Sequence, residues 1–137
     1  MRILALYDVH GNAEALEAVL GDPRAAGPDA IVVGGDVVPG AFAGAVLDRL
    51  QALSGDVYWV RGNGERETAA AVNGPPPAEG DNAAEMSAFT AHQLGAERAR
   101  ELGELPLSVI VDGVLFCHAT PRSDEELVVA PASSIPM

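Results

Sequence analysis

Apolar runs, each followed by a short polar signature, organise the first half of this chain. Residues 3–7 (Ile-Leu-Ala-Leu-Tyr) are continuously apolar, the pattern of a strand buried on both faces. Leu16, Val19 and Leu20 then recur on one helical face. Asn12 stands where a side-chain oxygen caps a first turn, and Gly21-Asp22-Pro23 ends the helix. The plan repeats with a strand at 30–33, a loop at 34–40 and a helix at 41–53 carrying Phe42, Val46, Leu50 and Leu53. A strand at 57–60 and a short helix at 65–72 complete three strand–helix alternations, which predict a parallel α/β sheet.

The pattern changes after residue 72. Residues 73–80, rich in Pro and Gly, read as a stiff surface excursion rather than a domain linker. Asp81 or Asn82 starts a helix presenting Met86, Phe89, Gln93 and Leu94, and a second helical piece at 96–102 stops before Pro106. Apolar segments 107–111 and 114–116 flank Asp112-Gly113, a strong two-residue hairpin signal, so the sheet is expected to gain an antiparallel edge pair. Residues 130–137 show no periodicity and are expected to be poorly ordered.

Composition narrows the picture. The 137 residues fit one domain, 1–137, whose core is built from Val, Leu, Ile and Ala, because 48% of residues are hydrophobic and only 4% aromatic. All eight basic residues are Arg, against 20 acidic ones, giving a net charge of −12. That balance argues against a nucleic-acid backbone or an anionic membrane as the main partner. Cys117 stands alone, so no intrachain disulfide forms and a reducing compartment fits best. The chain opens on a strand-like run broken by Asp8 rather than on a leader, and no stretch approaches the ~20 apolar residues that span a bilayer. A cytoplasmic protein is expected.

The candidate chemistry lies in four signatures: Asp8-Val9-His10, Gly35-Asp36, Gly62-Asn63-Gly64-Glu65 and Cys117-His118. In open α/β sheets ligands bind beyond the carboxyl ends of the strands, where Asp8, Asp36 and Asn63 all fall. His10 lies two residues after Asp8, a spacing suited to chelating one ion, and His118 follows the second hairpin strand. Carboxylate, imidazole and amide oxygen form a mixed ligand set for divalent metals. Each residue also has a plainer reading: Asp8 and Asp36 as helix caps, Asn63-Gly64 as a turn, His118 as a satisfied polar residue. His92, inside a helix without metal-binding neighbours, reads as a surface or packing residue. Glu65 is expected mainly to favour the next helix N-terminus, and Asp124-Glu125-Glu126 to be a solvated face.

Together these four blocks resemble the calcineurin-like metallophosphoesterase superfamily, particularly its small bacterial and archaeal phosphodiesterase-type branch. The surrounding segments Asp8-Val9-His10-Gly11-Asn12, Gly35-Asp36-Val37-Val38-Pro39-Gly40 and His118-Ala119-Thr120-Pro121-Arg122 strengthen the resemblance, which spans residues 3–126. It implies an α/β/β/α sandwich, here mainly its first half. It also implies two divalent ions, with Mn foremost and Fe, Ni or Zn as alternatives. Asp8 and His10 would bind the first ion, Asp36 both, and Asn63 and His118 the second. A shared hydroxide would attack a small phosphoester, with Asp36, Asn63 and His118 as the catalytic group and no role as nucleophile for Ser87, Ser108 or Cys117.

Two departures from the family pattern stand out. Gly64 occupies a position where many members have a histidine thought to protonate the leaving group, which leaves the general acid unassigned and favours good leaving groups. No Gly-His-x-His block follows His118. The resemblance implies that its two histidines would supply one ligand to each ion, so a C-terminally truncated chain of weak or no activity is expected, with a degenerate scaffold or interaction protein as the alternative. Arg122 is a candidate contact to substrate phosphate through its planar fork, or a surface arginine paired with Asp124 or Glu125. A covering sheet that is missing would leave apolar surface, so self-association into a homo-oligomer is also expected.

Overall fold

The strand Ala30–Val33 (β2) is apolar at all four positions and buried at all four, because it is the middle strand of a three-stranded parallel sheet. The computed structural model describes residues 1–129, so the expectation for 130–137 falls outside the described residues. β1 (Ile3–Leu6) and β3 (Asp56–Trp59) flank β2, with Ile3 opposite Ala30 and Ala30 opposite Asp56. Side chains alternate between faces, so Leu4, Leu6, Ile31, Val33, Val57 and Trp59 share one side. Onto that side pack α1 (Ala13–Leu20) and α2 (Ala43–Gln51), with Leu16, Val46, Leu47 and Leu50 completing the main core. Each fully buried leucine there contributes about 2 kcal/mol by removal from water.

Ile3, Ala30 and Val32 point to the other face, where they meet Val109, Val111 and Phe116. These belong to a hairpin of β4 (Ser108–Val111) and β5 (Val114–Cys117). Its turn is the expected one: Asp112 (φ 51°) and Gly113 (φ 76°) are both left-handed. Its place is not. The hairpin is a separate two-stranded sheet packed against the face of the parallel sheet, rather than a pair added to its edge. It leaves Ala5 exposed, so β1 is not buried on both faces as its apolar run predicted.

Three further helices close the fold: α3 (Asn63–Ala71), α4 (Asn82–Leu94) and α5 (Ala96–Gly103). Asn12 and Asp81 cap α1 and α4 through the backbone N–H groups of Ala15 and Ala84. The buried face of α4 differs from expectation. Ser87, Thr90 and Ala91 are buried, while Met86 and Phe89 are exposed, since small side chains are what allow α4 to lie close to its neighbours. Phe42 is likewise exposed, as the residue before α2 rather than part of its apolar face. α3 starts at Asn63, two residues earlier than expected, which moves Asn63 from a loop onto the first helical turn.

Candidate metal centre

Asp8, His10 and Asp36 sit just beyond the ends of β1 and β2, and all three hold left-handed backbone conformations (φ 54°, 45° and 51°). Such conformations cost non-glycine residues of order 1–3 kcal/mol each and persist where surrounding structure dictates them. Here the two loops are tied together by backbone bonds. Asp8 N–H donates to Gly35 O (3.1 Å), His10 N–H to Asp36 O (2.9 Å) and Gly11 N–H to Val37 O (2.8 Å). The ligand atoms of Asp8, His10 and Asp36 consequently lie within 4.8 Å of one another.

Asp36 is nearly buried and faces two imidazoles. Its Oδ2 lies 3.5 Å from His10 Nε2, and its Oδ1 lies 3.5 Å from His118 Nε2. Each histidine turns its other nitrogen to a carbonyl: His118 Nδ1 to Gly34 O (3.0 Å) and His10 Nδ1 to Pro39 O (3.3 Å). A carbonyl oxygen only accepts, so each contact places a proton on Nδ1 and leaves Nε2 as the nitrogen turned to the carboxylate. With neutral imidazoles, acceptors would face acceptors on both sides of Asp36, an arrangement that a bound cation would resolve. The donor set of Asp8, His10 and Asp36, and the orientation of its imidazole, therefore fit a divalent metal.

His118 reaches the centre from the hairpin and is held by side-chain contacts. The Tyr7 ring stacks on it with centroids 6.4 Å apart, and Tyr7 OH donates to Cys117 O (3.3 Å). Burial, with the nearby Cys117 and Asp8, pushes the Tyr7 phenol above its ordinary value and keeps it a donor. Gly35 lies directly under this arrangement: its φ is +98°, and a Cβ there would come within 2.8 Å of His118 Nδ1. Cys117 ends β5 half-buried, one residue before the imidazole.

Glu65 corrects the sequence expectation most sharply. Its side chain is fully buried, and its carboxylate accepts four backbone N–H groups: Gly62 (2.7 Å), Val37 (2.8 Å), Asp36 (2.9 Å) and Val38 (3.2 Å). It thereby binds the Asp36 loop to the head of α3, rather than merely favouring a helix terminus. Burial raises its pKa and the adjacent Asp36 charge adds to this, while the N–H donors oppose it. The spacing of Glu65 three residues after Gly62 was the available signal, since a residue there can reach back to the cap N–H. The long-range donors could not be read from spacing.

Asn63 stands on the first turn of α3 beside Asp36, whose Oδ1 accepts from the next residue, Gly64 N–H (2.8 Å). The Asn63 amide nitrogen donates to Glu67 Oε1 (3.3 Å). Gly64 has no room for a side chain, because a Cβ there would lie 2.0 Å from Val38 O. Arg122 is highly exposed and, among the described residues, forks onto Glu126, not onto Asp124 or Glu125 or any of the four convergent residues. Asp124, expected in a solvated face, is buried between Arg61 and Arg66. His92 is exposed on α4, as expected.

No curated protein matches the chain significantly. Among solved structures, the crystal structure of a metallophosphoesterase from Sphaerobacter thermophilus is similar over 94% of this chain, at 31% identity and a TM-score of 0.67. The crystal structure of hypothetical protein PH1004 from Pyrococcus horikoshii OT3 has the same fold over 79% of the chain, at 19% identity and a TM-score of 0.61. The chain spans 51% and 49% of those two chains, about half their length. The calcineurin-like phosphoesterase family matches residues 1–132, and this chain belongs to it.

Proposed function

We propose that the chain, as one domain, carries the metal-binding core of a phosphoesterase acting on a small phosphomonoester or phosphodiester. The single observation that carries this reading is Asp36, with one carboxylate oxygen 3.5 Å from His10 Nε2 and the other 3.5 Å from His118 Nε2. In this reading Asp8, His10 and Asp36 would hold one divalent ion, and Asp36, Asn63 and His118 would hold a second. Mn is the first choice, with Fe, Ni or Zn as alternatives. Bound metals of this kind polarise phosphoryl oxygens and lower the pKa of water enough to supply a nucleophile near neutral pH.

The protein's own groups do the positioning. Asp36 sets the separation of the two half-sites, and the carbonyls of Gly34 and Pro39 orient the imidazoles. Glu65 holds the Asp36 loop and α3 in one frame. Arg122, exposed four residues after His118, is proposed to leave Glu126 and contact a substrate phosphate. With no space at Gly64 for a proton-donating side chain, a substrate with a good leaving group is favoured. Localisation in the cytoplasm and a homo-oligomer remain part of the proposal. Among the described residues no helix is long and apolar enough to cross a membrane.

Calorimetric titration with Mn2+, followed by hydrolysis of an activated aryl phosphate and an aryl phosphodiester, tests the reading. Two ions per chain and weak metal-dependent hydrolysis, both lost in Asp36→Asn, are expected. Failure to bind metal would instead support the scaffold alternative, in which the fold persists around a degenerate site.

A further inference from the structure

Among the described residues β4 and β5 pair only with each other, so the segment that delivers His118 lies outside the ladder of the parallel sheet. The hairpin is anchored before β4, where Pro106 O accepts from Arg61 N–H (2.8 Å). Tyr7 and Gly34 O hold the imidazole itself, and what remains is to fix the chain beyond it against α3, which begins at Asn63. The buried carboxylate of Asp124, six residues beyond His118, is placed to do so. Its Oδ2 accepts from Arg61 Nε (3.2 Å), and both its oxygens accept from Arg66 Nε (3.2 Å each). Arg61 lies two residues before Asn63 and Arg66 three residues after it, so the two cations straddle that position. Arg61 also donates to Gly103 O (2.8 Å) at the end of α5, and Arg66 to Glu125 Oε2 (2.8 Å).

Between His118 and Asp124 the chain makes a tight turn closed in both directions. Thr120 N–H donates to Ser123 O (3.0 Å) and Ser123 N–H to Thr120 O (3.3 Å). The turn shortens the tether, so a restraint on Asp124 is transmitted to the imidazole. Surface ion pairs contribute little, but this carboxylate is only 7% exposed and is shared by two arginines that are themselves 23% and 38% exposed. Pairs this deeply placed are costly to break from one side, because the partner charges are left without compensation.

We propose that Asp124 is a positioning residue, whose clasp on Arg61 and Arg66 holds the His118 segment against the head of α3 and so sets the Asn63–His118 half-site. The inference rests on the phosphoesterase reading for its consequence, but the clasp itself is a property of the chain without metal.

The test compares wild type with Asp124→Ala and, should that variant fold poorly, Arg66→Met, which cuts half the clasp at a more exposed residue. The first readout needs no metal: amide hydrogen exchange of Thr120 and Ser123, together with the His118 Nδ1–H resonance in NMR. At least tenfold faster exchange and loss of that resonance are expected, with α2 amides such as Val46 unchanged. The second readout is Mn2+ titration, in which one of two sites should weaken about tenfold while the other stays within twofold. Unchanged exchange and an intact His118 resonance in both variants would overturn the clasp. Faster exchange with both metal sites weakened equally would reduce Asp124 to a general stabiliser. Wild type that binds no Mn2+ would remove the phosphoesterase reading while the exchange result still decides the clasp.

Discussion

The two histidines that face Asp36 are held in different ways. His10 lies on a loop bonded to the neighbouring loop by consecutive backbone hydrogen bonds, and its side chain is 48% exposed. His118 is 11% exposed and comes from a hairpin outside the parallel sheet, held by Tyr7, Gly34 O and, beyond the Thr120–Ser123 turn, Asp124. One half of the site is therefore a direct product of the βαβ framework, open to solvent and indifferent to most side chains around it. The other half is assembled from side chains and depends on each. A single carboxylate, Asp36, joins them.

The largest expected effect comes from removing the support of the Asp36 loop, on which both halves rest. Glu65→Ala leaves four buried N–H donors without an acceptor, at a cost of about 1–3 kcal/mol for each unsatisfied group before relaxation. A loss of at least about 4 kcal/mol in denaturant unfolding, or failure to fold, is expected. Next comes Gly64→His, which restores the residue many family members carry. Its Cβ would overlap Val38 O, so the variant should lose about 2–3 kcal/mol and gain no hydrolysis, read by thermal melting and an aryl phosphate assay.

The comparison between the halves is sharpened by paired alanine substitutions. His118→Ala removes a buried ring, its stacking on Tyr7 and its bond to Gly34 O, and should cost about 1–2 kcal/mol in unfolding experiments. His10→Ala should stay within about 0.5 kcal/mol of wild type, because its ring is half-exposed. Equal losses of stability would contradict the division drawn above. The smallest effect belongs to Arg122→Met. Its exposed pair with Glu126 contributes at most about 0.5 kcal/mol, so stability should not move while KM for a phosphoester rises.

Much of this was legible in the chain because local chemistry decided it. The Asp112-Gly113 turn follows from two residues that tolerate left-handed geometry, and the cap of α1 from one asparagine oxygen. The convergence of Asp8 and Asp36 follows from two successive strands whose ends must lie side by side in a parallel sheet. What escaped was decided at long range. Glu65 resembles any acidic residue in a first helical turn until the Asp36 loop folds over it. Asp124, in a run of three acidic residues, gave no sign of burial, since its two arginines are 63 and 58 residues away. The hairpin could be recognised but not placed, because alternation in a two-stranded unit does not say whether it will extend a sheet or cover one. Met86 and Phe89 misled by size, since α4 packs through its smallest residues.

The central claim is that one carboxylate serves two half-sites. Mn2+ titration of wild type and Asp36→Asn, with electron paramagnetic resonance on the loaded samples, tests it most directly. The account predicts two ions per chain with a spin-coupled signal, and loss of both ions when Asp36 becomes Asn. A variant that still binds one ion with wild-type affinity would show that the half-sites are independent and would contradict the account.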